Sequence, residues 1–307
     1  PPARETTGSR DYFGIFADTQ PQLLSPKALA TIGQRGVCAQ LAKQGIEVDG
    51  RFVCLIVRDS AYLEAINPAR NWDYHSYRDT DIDAYVDIAT DLAERGYYVF
   101  RMGKSVVGPL RSTHERVIDY ANADWRNDSL DLWLIANSVF CISTSTGLDS
   151  VADICRKPVA FVNFLPLAYF QTWSPCVVAP SHLVWKETGK KLTLREHLFH
   201  SYLRSEDYDR AGIGVLPLKS TEIMKVVLEL EQRVLSKWRK TAVESVEQKA
   251  FKAIYLQNDG ELIRSMEPGV EHEAWPHSLR YRRRRPKTEG NQFFSPKAFL
   301  SQTFLSD

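Results

Sequence analysis

The chain lacks most of the marks by which common enzyme classes are read from sequence. It has no G-x-G-x-x-G, no Walker lysine loop and no G-x-S-x-G, so a dinucleotide turn, a P-loop and a serine-hydrolase elbow are unsupported. Its five cysteines (Cys38, Cys54, Cys141, Cys155 and Cys176) form no C-x-x-C pair, and no His/Cys cluster has zinc spacing, so no metal is expected. They are odd in number and three lie inside apolar runs, where cysteine behaves as a small hydrophobe. That argues against a disulfide scaffold and for a reducing compartment, so a cytoplasmic protein is expected. No apolar run is long enough to span a membrane, and the first residues do not read as a secretory leader. Charge of either sign is not in excess. The 39 Lys and Arg against 38 Asp and Glu leave a formal +1, which gives no support for a nucleic-acid partner.

What the chain does have is a globular composition, 44% hydrophobic and 25% charged over 307 residues, enough for a sizeable core. The length allows two ordinary domains or one large one with appendages. The rest of the sequence is organised around residues 140–155. A short apolar run from Val139 to Ile142 breaks into Ser143, Thr144, Ser145, Thr146 and Gly147, then resumes at helical spacing with Leu148, Val151, Ala152 and Cys155. This reads as strand, hydroxyl-rich turn and helix. Such a turn aims free N–H groups and the positive end of a helix dipole at one spot, which suits phosphate. The competing account is a simple helix cap.

Around it, residues 52–57, 97–100, 117–120 and 159–162 read as further buried strands. Between them lie a helix capped by Asp79, Thr80 and Asp81 and a brief helix over 130–136. Strands alternating with helices predict an α/β fold: a Rossmann-like parallel sheet with flanking helices. Outside that block, residues 12–16 suggest a strand, Ser25 and Pro26 a capped helix, and Val37 to Gln44 another. Beyond Trp173 the sheet signal weakens, although Thr193 and Glu196 form a capping-box pattern for a helix through Leu203. Long helical spacing runs over 220–246, and a last helix is expected over 248–256. The expected division is an N-terminal segment 1–50, a Rossmann-like domain 51–219 and C-terminal helices with a basic tail 220–307.

In parallel sheets, ligands sit outside the carboxyl ends of the strands, and the polar residues gather there. Arg58 can fork onto a diphosphate, or pair locally with Asp59 or Asp79. Arg101 and Lys104, at the next strand end, can add positive charge. Asp149 suits a helix N-terminus and would repel a phosphate unless it holds the loop or contacts a ligand hydroxyl. Asp59 and His75 are the rival general bases. The Asp-x-Asp of Asp79 and Asp81 falls at a helix start, where capping explains it better than a metal. The run Arg282 to Arg285 reads as a solvated charge cluster before a peripheral membrane contact.

With these residues in view, the chain resembles a family of glycosyltransferases found in bacterial surface-polysaccharide gene clusters. The resemblance is carried by residues 57–63 (VRDSAYL), 74–82 (YHSYRDTDI), 96–103 (GYYVFRMG), 142–147 (ISTSTG), 156–159 (RKPV), 163–167 (NFLPL) and 295–300 (SPKAFL). It implies a GT-B-like architecture in which a C-terminal Rossmann-like domain binds the nucleotide-sugar and an N-terminal one binds the acceptor. The chain is more distantly similar to fucosyltransferases, which makes Arg58 the counterpart of their diphosphate-binding arginine. The resemblance implies a hexosyltransferase-like enzyme with no cofactor, a nucleotide-sugar as substrate and a glycan or lipid-linked acceptor. The segment 1–50 is too short for a whole acceptor domain, so either it is the remnant of a truncated one or the acceptor is bound differently. Two alternatives stay open: a sugar-nucleotide epimerase or hydrolase, and a non-catalytic nucleotide-sugar or glycan-binding or assembly module.

Overall fold

The structure, a computed structural model, describes residues 34–47, 49–170, 172, 174–237, 248–249, 251 and 298–305. The strand expected over 12–16, the helix at Ser25, most of the helix expected over 248–256 and the Arg282 to Arg285 run lie outside them.

The described elements are α1 (Gln34–Lys43), β1 (Arg51–Ile56), α2 (Ala61–Ile66), α3 (Val86–Glu94), β2 (Tyr97–Arg101), β3 (Val117–Ile118), α4 (Asp128–Asn137), β4 (Phe140–Ser143), α5 (Asp149–Ile154) and β5 (Val159–Val162). They continue with β6 (Cys176–Ala179), β7 (His182–Trp185), α6 (Leu194–Phe199), α7 (Ser205–Arg210), β8 (Ile213–Leu216), α8 (Ser220–Val234), β9 (Ala298–Leu300) and α9 (Gln302–Leu305). Seven strands make one sheet in the order β3-β2-β1-β4-β5-β6-β9, and every pairing in it is parallel. The first six follow the doubly wound Rossmann order.

The apolar runs explain the layering. Along β1, Phe52, Cys54 and Ile56 enter one core with Leu41 of α1 and Trp133 and Leu134 of α4. Val53 and Leu55 enter the opposite core with Ile88 and Leu92 of α3 and Val226 and Leu230 of α8. A strand buried on both faces needs apolar side chains at every position, and each one contributes about 1.5–3 kcal/mol relative to exposure.

The structure differs from the sequence expectation in several places. β3 is two residues long and runs into a short turn of 3-10 helix at Tyr120–Asn122. Helix α8 stops at Val234, not at 246. Ser236 takes a left-handed φ of 57°, and the Lys237 N–H returns to the Gln232 carbonyl at 2.8 Å, a bond of the Schellman type. The expected boundary after residue 219 does not separate α8 from the sheet, because α8 covers the sheet face beside α3. β9 joins the same sheet as its outermost strand. The helix after the Thr193 capping box ends at Phe199, and α7 follows.

The antiparallel pair β7–β8 and α7 form a small separate core of Leu183, Ile213 and Tyr208, which also takes in Tyr77. This fastens the 3-10 turn Asp73–Arg78 from outside the sheet. The Ser205 hydroxyl donates to the Asp73 carbonyl at 3.1 Å and accepts from the Tyr77 N–H at 3.2 Å. No helix among the described residues is long and apolar enough to cross a membrane.

Candidate functional site

β1 and β4 are neighbours in the sheet, yet the chain leaves them in opposite directions, towards β2 and towards β5. The loops after them therefore part, and a crevice opens between the two strand ends. Those ends are tied together at the floor. The Thr144 N–H donates to the Ile56 carbonyl at 3.1 Å, and the Arg58 N–H donates to Thr144 Oγ1 at 2.8 Å.

The hydroxyl-rich turn is filled from within. Asp149, buried at the start of α5, accepts on Oδ2 from the Ser143 hydroxyl at 2.8 Å and from the Thr146 N–H at 2.9 Å. The Ser145 N–H donates to Ser143 Oγ at 3.1 Å, and Ser145 itself sits at φ 68°. An internal carboxylate thus occupies the inner anion position, so the expected phosphate cradle is closed there and Asp149 acts as its loop-holding group. Gly147 stays exposed on the outer lip, where an added Cβ would meet nothing within 4 Å.

The cations separate. Arg58 pairs with Asp79 at 3.1 Å and its side chain is 14% exposed. Arg101 is 1% exposed and locked in scaffold: Nη1 donates to the Gly108 carbonyl at 2.9 Å and meets Asp119 at 3.3 Å, while Nη2 lies 3.5 Å from Asp59. A ligand cannot reach a guanidinium so enclosed, which corrects the expected diphosphate contact. Lys104 is exposed and lies 3.6 Å from Asp128 at the start of α4. Asp59 is also committed, accepting from the Ala61 N–H at 3.1 Å and the Val107 N–H at 3.0 Å besides facing Arg101. Its carboxylate fastens the loop after β2 to the end of β1, which leaves it poorly placed to act as a base.

Charge converges elsewhere. His75 lies against Tyr74 with ring centroids 4.1 Å apart, and its Nδ1 is buried with no hydrogen-bond partner. Burial first, then the guanidinium groups of Arg58, Arg78, Arg70 and Arg204, push its imidazole down from 6.5 to about 4, so it is neutral at pH 7. Arg78 donates to the Ser145 carbonyl and to its hydroxyl, joining the Asp73–Arg78 turn to the β4 loop. Arg70 lies over the rings of Trp72 and Tyr74 at 4.5 and 5.4 Å and donates to the Tyr74 hydroxyl at 2.8 Å. Arg204 lies 4.9 Å from the Tyr74 ring centroid and pairs with Glu206 at 3.4 Å.

Asp79 also borders a cleft of about 470 Å³, lined by Asp59, Asp81, Asp83, Val107 and Arg111 among others. Asp81 caps the following turn by accepting the Asp83 N–H at 3.0 Å, as its position in sequence suggests. Burial raises Asp79 above the usual carboxylate value, outweighing the pull of Arg58 in the other direction. Among the described residues no three His, Cys, Asp or Glu side chains converge as a metal site requires.

Sequence reasoning missed Arg70, Arg78, Arg204 and the site role of Asp79. Arg78 lay in plain view between two residues already singled out, but nothing local says that it reaches Ser145. Arg204 arrives from a helix start far along the chain. No protein-family model, curated protein or solved structure matches this chain. Fold and crevice define an α/β protein of Rossmann strand order with a polar site at the switch point of its sheet. That site is cationic on the side of His75 and acidic on the side of Asp79.

Proposed function

We propose that this protein is a metal-independent glycosyltransferase of GT-B-like design, with the described sheet as its donor domain. It moves a sugar from a nucleotide-sugar to a hydroxyl of a glycan or lipid-linked acceptor in surface-polysaccharide synthesis. The observation that carries this assignment is the placement of arginines at the switch point: the Arg58 N–H is tied to Thr144 and Arg78 to Ser145 of the β4 loop, while Arg70 and Arg204 lie over Tyr74, whose ring rests on His75. Guanidinium forks match diphosphate oxygens, and fixed cations offset the charge that develops on a departing diphosphate. The neighbouring cleft receives the acceptor. There Asp79, whose proton affinity is raised by burial, takes the hydroxyl proton. The five free cysteines favour the cytoplasm as its site of action.

The test is a thermal-shift screen against nucleotide-sugars followed by a transfer assay. A donor at a hundredfold its dissociation constant stabilises by about 2.7 kcal/mol. Arg78→Ala and Arg58→Ala are expected to weaken that donor while the fold survives, and unchanged affinity in both sinks the site. A second account, a nucleotide-sugar-binding module without transfer, is favoured by the engagement of Asp59 and the weak basicity of His75. Binding without turnover of any donor supports it. Release of free or epimerised sugar in the absence of acceptor points instead to a hydrolase or epimerase.

A further inference from the structure

The cleft beside Asp79 is walled by three segments that the sheet order brings together. Residues 59–60 follow β1, residues 107–111 follow β2, and residues 79–83 lead towards α3. The chain itself holds these walls. Asp59 accepts from the Ala61 and Val107 N–H groups, which fixes the loop after β2 against the end of β1. The Thr80 N–H donates to the Arg58 carbonyl at 3.2 Å, which fixes the acidic run against the same strand end. A space of about 470 Å³ bounded in this way is preformed and has the size of a small-molecule site.

Its charges do not balance. Four carboxylates line it, and two are already met: Asp79 by Arg58 at 3.1 Å and Asp59 by Arg101 at 3.5 Å. Asp81 and Asp83 are exposed to solvent. Asp81 uses one oxygen to accept the Asp83 N–H, and among the described residues neither carboxylate forms an ion pair. Arg111, also exposed, is the single guanidinium in the lining. One negative charge is left over where a ligand would lie. The hydrogen-bonding groups lean the same way, because a carboxylate only accepts. Ile82, Val107 and Pro109 give the same space an apolar side. Carboxylates beside an apolar patch match a sugar ring, which carries hydroxyl donors at its edge and C–H groups on its faces.

We propose that this cleft takes an amino sugar, with the ammonium paired to Asp81 and Asp83 and the ring against Val107 and Pro109. The inference rests on the acceptor reading of the cleft and deepens it by naming the acceptor's class. A hexosamine with a free amine supplies the missing positive charge. An N-acetylated sugar keeps the ring and hydroxyls but loses that charge, and a uronic acid sets a like charge beside the two carboxylates and is disfavoured. Because Asp81 and Asp83 are exposed, the preference weakens as salt is added.

The experiment is an NMR titration of the whole chain, at low salt and slightly acid pH, with the methyl glycosides of glucosamine, N-acetylglucosamine and glucuronic acid. It is repeated with Asp81→Asn/Asp83→Asn, in which the amide oxygen at 81 can still accept the Asp83 N–H. If that variant folds poorly, Asp83→Asn alone replaces it, since the Asp83 side chain makes no hydrogen bond among the described residues. The expected result is about tenfold tighter binding of the glucosaminide than of the N-acetyl sugar, the size of one charge-assisted contact, with the glucuronide weakest. The double variant should bring the glucosaminide down to the N-acetyl level and leave the N-acetyl sugar unchanged. Equal binding of amine and acetamide, or an amine preference that survives the variants, overturns the selection and leaves the acceptor cleft standing. Binding of none of the three sugars overturns the acceptor reading itself, and the inference falls with it.

Discussion

Two arginines stand at neighbouring strand ends, Arg58 after β1 and Arg101 at the end of β2, and in sequence they look alike. Each follows an unbroken apolar run and each invites a ligand. In the fold they have opposite fates, and the sheet register says why. Arg101 pairs across the sheet with Leu55, so it is still inside the layered body when its side chain departs. It must find its charge partners among protein groups, and it does so in Asp119, Asp59 and the Gly108 carbonyl. Arg58 lies beyond the last paired residue of β1 and has cleared the sheet. It faces the crevice with one carboxylate and other arginines for company. A strand-end arginine is therefore a ligand candidate only when it lies past the register of its neighbours.

The sharpest way to break this comparison is to remove each charge in turn. Arg101→Met is expected to destabilise the fold by about 3 kcal/mol, because a buried cation leaves behind carboxylates that were placed to meet it. Chemical denaturation measures this, and pairing the variant with Asp119→Asn should recover part of the loss if the interaction is direct. Arg58→Met should cost less than about 1 kcal/mol of stability, as expected for a partly solvated ion pair. Its effect falls on binding instead, with pyrophosphate affinity about tenfold lower, the size expected for one lost charge-assisted contact. If the two variants behaved alike in both measurements, the distinction between scaffold and site arginine would collapse.

Much of the sheet was legible because its signal is local. Phe52 to Val57, Tyr97 to Phe100 and Val159 to Val162 are continuous apolar runs, and such runs have few ways to be satisfied other than burial on both faces. The capping box was legible for the same reason. Its two bonds, Glu196 N–H to Thr193 Oγ1 and Thr193 N–H to Glu196 Oε2, span three residues. β6 and β8 were missed because Pro175 and Pro180 bracket the run from Cys176 to Ala179 and Gly214 breaks the run from Ile213 to Leu216, so neither stands out as a strand. The turn after β4 was located correctly and loop-holding was among the roles open to Asp149, but the choice between them was not legible. Whether Asp149 repels a phosphate or replaces it depends on where one carboxylate points, which spacing does not encode. The contacts of Arg78 and Arg204 were invisible for the opposite reason: they join segments far apart in sequence, and the Asp73–Arg78 turn is held in place by Ser205 and Tyr208.

A smaller effect separates the same two arginines through His75. In the folded chain its imidazole sits at about 4, against 6.5 ordinarily. Between those values the unfolded chain binds a proton that the folded chain refuses. Stability from this group is therefore whole above pH 6.5 and is lost as pH falls towards 4. Buried His197, also near 4, acts in the same direction. His75→Gln should flatten the fall of the urea midpoint between pH 6.5 and 4.5 while His197 keeps part of it. Arg58→Met should flatten it partly, since Arg58 is the foremost cation acting on the ring, and Arg101→Met should leave the slope alone. Parallel slopes in wild type and His75→Gln would show that the imidazole is not shielded as described.

Lys104 supplies the smallest expected effect and the finest cut. It lies just past Arg101 in sequence and was expected to share the same anion, yet its ammonium is 59% exposed and faces Asp128. Asp128 is held below the usual carboxylate value first by Arg126, which donates to it at 3.0 Å, and only then by Lys104. Removing the lysine strips Asp128 of its lesser partner and leaves the carboxylate in water. Lys104→Ala should therefore shift the denaturation midpoint by no more than experimental error. It should also leave pyrophosphate affinity unchanged at about 0.15 M salt, where charges more than about 8 Å apart through solvent are largely screened. A clear loss of affinity at that salt would extend the cationic flank across the end of β2. Arg101 would then be the structural post of a wider anion site, and not merely the counterexample to Arg58.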